Sequence, residues 1–242
     1  SNKHSVDVVC CNSVNKTSIE SSPKIKIFKY ASIGRLFSMP ISLSFLLNFH
    51  KHTGDILHFH LPNPLAILAY FLHRPKGKVL ITWHSDIIKQ KWLLILLHPL
   101  IQWFLNRATQ IITTSTNLAD YSPYLRYFKH KITVIPLGIP IQNYSIKPQA
   151  PSITRPFALF VGRFVYYKGV IPLIQAIQQT NASLVMIGDG PLKPTIQSMI
   201  HKHQLSERVT VLPNQSFDEL CRYYNHCDYL ILPSTHASEA FG

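Results

Sequence analysis

Phe160-Val161-Gly162-Arg163-Phe164-Val165-Tyr166-Tyr167-Lys168-Gly169 is the stretch that decides the fold of this 242-residue chain. The apolar run from Phe157 to Val161 reads as a buried strand, Gly162 as the turn that ends it, and a helical pattern opens at Val170. Arg163 and Lys168 stand five residues apart between strand and helix. Two cations at the mouth of a helix, beyond the carboxyl end of a strand, suit a diphosphate. Charge, backbone N–H groups and helix dipole all favour an anion there.

Outward from this stretch the same alternation continues in both directions. Strand Phe157–Val161 leads to helix Val170–Gln178, strand Ser183–Ile187 to helix Pro191–His203, strand Val209–Leu212 to helix Phe217–Asn225, and strand Tyr229–Leu232 closes the series. Upstream, Val6–Cys11, Lys24–Phe28, Ile56–Phe59, Val79–Trp83, Ile111–Thr114 and Ile132–Ile135 read as strands. Ile41–His50, Leu65–Leu72, Leu93–Leu105 and Asn117–Phe128 read as helices among them. A polar, Pro-bearing linker, 145–156, divides residues 1–144 from 157–242. Continuous apolar strands alternating with helices predict parallel sheets covered on both faces. The expectation is an α/β protein of two Rossmann-like domains facing each other across a cleft.

Composition narrows the classes. An apolar fraction of 46% with 14% charged residues argues against disorder. Four cysteines, with Cys10 and Cys11 adjacent, form no C-x-x-C pair and no disulfide framework, which fits a reducing cytoplasm. No signal peptide opens the sequence, and the longest apolar stretch, Trp92–Leu105, is broken by His98, Pro99 and Gln102. Residues 1–150 hold 17 Lys and Arg against 5 Asp and Glu, whereas residues 151–242 hold 7 against 6. A basic half joined to a neutral half suggests that one domain meets an anionic surface. The Leu-rich segment bearing Trp92, Trp103 and Phe104 is the candidate contact, with the opposing reading that it is a core helix. The basic residues are scattered rather than interleaved with aromatics, which argues against nucleic acid.

Four constellations carry the chemistry. Gly162, Arg163 and Lys168 form the first. Gly188-Asp189-Gly190-Pro191 follows strand Ser183–Ile187 and opens the next helix, where Gly eases a tight turn and Pro suits the first helical turn. Glu239 stands beyond the last strand in Ser238-Glu239-Ala240-Phe241-Gly242, and a carboxylate there can accept several hydrogen bonds and attract an oxocarbenium ion. His84, in Thr82-Trp83-His84-Ser85-Asp86, lies just past a strand's carboxyl end, where parallel sheets bind ligands. Asp86, Lys89 and Lys91 follow it, open to either an acceptor phosphate or solvent. His58-Phe59-His60 alternates along a strand, so both imidazoles share a face; without a carboxylate or Cys cluster, a structural pair is the expectation over a metal pair. His201 and His203, at a helix end, read the same way. No D-x-D metal signature occurs.

Together the Gly-Arg-x4-Lys-Gly, Gly-Asp-Gly-Pro and Pro-Ser-x4-Glu-Ala-Phe-Gly strings resemble the donor site of the retaining GT-B glycosyltransferases of family 4. The resemblance covers essentially the whole chain. It implies that Gly162, Arg163 and Lys168 hold a donor diphosphate, that Gly188, Asp189 and Gly190 lie near the nucleotide, and that Glu239 and His84 meet the reacting sugar. It implies a UDP- or GDP-sugar donor, a glycan or lipid-linked acceptor, no cofactor and no metal. The expected activity is hexose transfer with retention at the anomeric carbon, in bacterial surface polysaccharide synthesis at the inner face of a membrane. A GT-B sugar-nucleotide epimerase and a non-catalytic basic surface-binding protein are the alternatives. Family members begin with a strand and a Gly-rich loop not found here, and the second Glu of their E-x7-E pattern would fall at position 247. The expectation is therefore a chain cut at both ends and silent in catalysis by itself.

Overall fold

The computed structural model describes residues 4–36, 39–86, 91–138, 150–153 and 155–235. Glu239, Lys89 and half of the expected linker lie outside them. The chain divides into two compact units, Ser1–Pro136 and Leu137–Gly242.

The first unit opens with β1 (Val6–Cys11), β2 (Ser18–Ser21) and β3 (Ile25–Tyr30), then the hairpin of β4 (Gly34–Leu36) and β5 (Met39–Ile41). β1 and β3 pair in parallel, and β2 lies antiparallel on β3. Neither β2 nor the hairpin stands out in the pattern, since each is too short or too polar to show an apolar period. Helix α1 (Leu43–Asn48) starts later than Ile41 because Ser42 caps it: its Oγ accepts from the Phe45 N–H at 3.1 Å and donates to the Ala31 carbonyl at 2.6 Å.

A second sheet follows, built from β6 (Ile56–Leu61), helix α2 (Pro64–His73), β7 (Lys78–Trp83), helix α3 (Lys91–Arg107), β8 (Gln110–Thr113), helix α4 (Thr116–Tyr121) and β9 (Ile132–Val134). Its strands are all parallel, in the order β6-β7-β8-β9. Alternation sends Phe59, Leu61, Val79, Ile81, Trp83 and Ile111 to a buried face. There the Phe59 ring meets Tyr70 of α2 at 5.5 Å and Phe104 of α3 at 4.8 Å, both edge to face. Helix α4 ends at Tyr121, well short of Phe128, because Pro123 forces Ser122 into an extended conformation (φ −64°, ψ 122°).

Helix α3 is a core element. Among its described side chains Ile101, Phe104 and Leu105 are buried, so this part of the segment read as a membrane contact spends apolar surface on the core, while Leu97, Leu100 and Trp103 are half-buried; the side chain of Trp92 lies outside the described ones. No described helix is long and apolar enough to cross a membrane.

The second unit contains β10 (Phe157–Val161), α5 (Val170–Gln178), β11 (Ser183–Ile187), α6 (Lys193–Lys202), β12 (Val209–Leu212), α7 (Phe217–His226) and β13 (Tyr229–Leu230). All four strands are parallel, in the order β12-β11-β10-β13. One face of β10 and β11 (Ala158, Phe160, Leu184, Met186) packs under Leu173, Ile174 and Ile177 of α5 and Ile196 and Ile200 of α6. The other (Phe157, Leu159, Val185, Ile187) meets Leu220, Tyr223 and Tyr224 of α7. The strands read as unbroken apolar runs because both faces are covered. Asp228 locks the return of β13 beside β10: it accepts from Arg155 at 2.5 Å and from the Phe157 N–H at 2.9 Å.

Candidate active site

In this strand order the chain steps outward from β10 through β11 to β12, with α5 and α6 on one face, then returns by α7 on the other face to β13 on the far side of β10, so the order reverses between β10 and β13. Open parallel sheets bind ligands at the carboxyl ends of strands flanking such a reversal. The loop after β10 carries Gly162, Arg163 and Lys168 to that edge, and the loop after β13 runs through Pro233 to Thr235 toward Glu239.

Backbone bonds hold these loops together. Gly162 N–H donates to the Ile187 carbonyl at 3.0 Å, prolonging the β10–β11 ladder. Phe164, fully buried, anchors its loop: its N–H donates to the Asp189 carbonyl at 2.9 Å and its carbonyl accepts from the Leu192 N–H at 3.0 Å. A Cβ on Gly188 would overlap the Gly162 carbonyl, and one on Gly190 would lie 2.6 Å from the Phe164 oxygen. Positions 188 and 190 are therefore glycine because two loops meet there backbone to backbone.

Arg163 projects exposed from this anchored loop, while a 3-10 turn at Tyr166–Lys168 brings Lys168 back over it. The Lys168 Cε lies 3.9 Å from where a Cβ on Gly162 would stand. Gly169 ends the turn in the left-handed region (φ 66°, ψ 24°) and caps α5. Its α-carbon presses on the Pro233 carbonyl so closely that a side chain would overlap it, and Thr235 N–H donates to the Tyr167 carbonyl at 3.0 Å. The loop bearing Lys168 and the loop leading to Glu239 are thus fastened to each other.

Asp189 turns its carboxylate onto its own loop, accepting from the Gly190 N–H at 2.7 Å and lying 3.4 Å from Lys193 Nζ. Those two partners, the N–H first, hold its pKa below the usual carboxylate value. Its engagement is local bracing of the turn into α6.

In the first unit His84 lies at the carboxyl end of β7, its N–H donating to the Leu61 carbonyl at 2.8 Å. Its Nε2 lies 2.8 Å from His60 Nδ1, and the His58 and His60 rings lie 4.6 Å apart. His58 Nε2 sits 2.7 Å from Thr82 Oγ1. Burial, then neighbouring imidazoles, push His58 and His84 below the ordinary imidazole pKa. The alternation in the sequence placed His58 and His60 on one face; the contact of His60 with His84, 24 residues away, depends on strand register and had no local signal. Asp86 is half-buried, and its Oδ1 accepts from Trp83 Nε1 at 3.0 Å and Ser122 Oγ at 2.6 Å. No described group of three or more His, Cys, Asp or Glu is arranged to hold a metal ion.

Residues 1–143 match the model of Glycosyltransferase Family 4, and residues 144–242 match that of Glycosyl transferases group 1. The chain belongs to glycosyltransferase family 4. It is 32% identical over 212 residues to the O-antigen chain mannosyltransferase C of Escherichia coli, covering 85% of this chain and 57% of that protein. It is 31% identical over 217 residues to the D-rhamnosyltransferase WbpZ of Pseudomonas aeruginosa, covering 86% and 56%. The family 4 chain thus spans a little over half the length of these curated relatives. Among solved structures it resembles a sucrose-phosphate synthase from Thermosynechococcus elongatus, with TM-score 0.74, 20% identity, and coverage of 98% and 66%. It also resembles Anabaena HepE in complex with UDP-glucose, with TM-score 0.64, 14% identity, and coverage of 99% and 76%. These likenesses give it the GT-B fold.

Proposed function

We propose that the protein transfers a hexose from a UDP- or GDP-sugar to a glycan or lipid-linked acceptor, with retention at the anomeric carbon, in surface polysaccharide assembly. The observation that carries this is the anchored loop 162–169. It holds an Arg and a Lys at the sheet reversal, fastened to the loops at 188–192 and 233–235. In the reaction the acceptor hydroxyl oxygen bonds to the anomeric carbon as its bond to the diphosphate breaks. The acceptor proton passes to the departing phosphate oxygen on the same face. Arg163 and Lys168 stabilise the leaving charge, a contribution that fixed donors make most strongly where water is excluded. No metal step enters. Glu239, four residues past Thr235, is assigned to the donor-sugar hydroxyls, and His84 to the reacting sugar.

A lipid-linked acceptor would be met at an anionic membrane. Support comes from helices α1 and α2, joined where His73 Nε2 lies 2.8 Å from the Leu46 carbonyl. Leu43 and Leu47 on α1, and Leu68, Phe71 and Leu72 on α2, are exposed. The Arg74 guanidinium covers Phe71 at 5.6 Å and Trp103 at 5.5 Å, with Lys76 and Lys78 just beyond. Apolar side chains rimmed by cations suit an interface with anionic lipid.

The test is transfer by the full-length parent from UDP- and GDP-sugars to a lipid-linked glycan, with the product's anomeric configuration read by NMR. Arg163→Ala or Lys168→Ala should lower transfer by about 10² to 10³, with diphosphate affinity falling more than nucleoside affinity. Equal losses for nucleoside and diphosphate overturn the assigned roles. Sugar-nucleotide isomerisation without acceptor consumption makes the protein an epimerase instead.

A further inference from the structure

β6 and β7 pair so that His60 lies beside Thr82, and His84 extends the pairing one residue past the end of β7. By alternation His58, His60, Thr82 and His84 occupy one face, opposite the buried Phe59, Leu61, Ile81 and Trp83. The His60 and His84 rings are inclined by only 14°, with centroids 5.1 Å apart and Nδ1 of one 2.8 Å from Nε2 of the other. A contact so short between nitrogens at that centroid separation places the rings edge to edge in nearly one plane. A single proton then lies on the line between them, one ring donating and the other accepting.

We propose that His60 is a positioning residue. It fixes the ring of His84 with the proton on Nε2, leaving Nδ1 bare as an acceptor for a donor-sugar hydroxyl. This rests on the assignment of His84 to the transfer site. Of the two ways to place the proton, His84 as donor gives both rings the Nε2–H form that neutral imidazole prefers in water. The reverse gives both the less stable Nδ1–H form. A second extra proton on the pair would set N–H against N–H and break the bond.

The surroundings favour a neutral His84. His58 lies against His60, and its own Nε2 is spent on Thr82. The carboxylate of Asp86, two residues from His84, is committed to Trp83 and Ser122. Among the described hydrogen bonds and ion pairs, no carboxylate reaches either ring. Burial and mutual repulsion lower the His84 pKa in the same direction. With His84 neutral, the hydrogen bond that Nε2 makes to His60 decides whether Nδ1 carries a proton.

The experiment uses the full-length parent, with ¹⁵N-imidazole NMR for the tautomer and steady-state kinetics for its consequence. The spectrum should show His84 protonated at Nε2 and bare at Nδ1. His60→Ala should mix the two forms and lower kcat about tenfold or more, by analogy with the loss seen when the partners that orient metal-bound imidazoles are removed. His60→Asn, whose amide oxygen can take the place of Nδ1, should restore both. In a His84→Ala background, His60→Ala should add nothing. A His84 tautomer that is Nδ1–H, or unaltered in His60→Ala, overturns the proposal. So does wild-type kcat in His60→Ala when His84→Ala is impaired. If His84→Ala itself transfers normally, the assignment of His84 falls and the catalytic consequence falls with it, while the spectrum still decides the pairing.

Discussion

Replacing Gly169 with Ala tests whether the loops at the sheet reversal are fastened as described. Gly169 sits at φ 66°, where an L side chain costs about 1–2 kcal/mol. Its added methyl would overlap the Pro233 carbonyl, a backbone atom that can move only by displacing the loop toward Glu239. That displacement breaks the bond from Thr235 N–H to the Tyr167 carbonyl, a net loss of about 1 kcal/mol. Reduced freedom of the unfolded chain offsets about 0.4–1 kcal/mol. The balance is a loss of about 2 kcal/mol, or a fall in Tm of about 4–8 °C for a chain of this size. Thermal unfolding should show it, and calorimetric titration with UDP or GDP should show weaker binding, because Lys168 rides on the shifted turn. Gly54→Ala is the control for stability: it has no left-handed backbone, and its new methyl would stand 3.6 Å from the Ile56 oxygen, an ordinary contact. Equal Tm values for Gly169→Ala and wild type would refute the fastening of the two loops.

Three further outcomes follow from the same structure. Leu47→Asp with Leu72→Asp should abolish sedimentation with anionic vesicles at low salt while leaving Tm within a few degrees of wild type. Binding that persists, or that is indifferent to lipid charge, removes the α1–α2 face from consideration. The pKa of Asp228 is lowered, chiefly by Arg155 and then by the Phe157 N–H. Its stabilising contribution is therefore complete above the unfolded value near 4 and is lost as pH falls through the lower folded value. Asp228→Asn should flatten that acid limb in denaturation measured at successive pH values. His58 and His84 also have lowered pKa values, so the unfolded chain binds protons first and stability should decline as pH drops below about 6.5. His58→Gln should make that decline shallower, as read from urea midpoints at pH 7.5 and 5.5.

The second unit was legible to the residue at β10, α5, β11 and β12, because each strand is an apolar run buried on both faces and α5 has one clear apolar stripe. The first unit was less so. The β4–β5 hairpin is held by three paired positions on each strand, too few to establish a period of two. The stop after Tyr121 was written in Pro123, yet the apolar residues Leu125 and Phe128 continue a helical spacing and mask it. Helix α3 shows the limit of composition most plainly. An apolar run flanked by basic residues fits a lipid surface or a sheet equally well, and only the strands that Phe104 and Leu105 meet decide between them.

The site divides along the same line. Arg163 and Lys168 were visible because charge, a glycine turn and a helix start occur within ten residues. What holds them was invisible, because Gly169 meets Pro233 only when β13 returns beside β10, some 70 residues later in the chain. His60 and His84 are likewise neighbours only in the β6–β7 register, and a shift by one residue would put their rings on opposite faces. The residue types proposed for the chemistry are thus written locally, while their orientation is a property of strand order and register. That is why the glycines and His60, rather than the cations, are the positions where substitution most directly tests this structure.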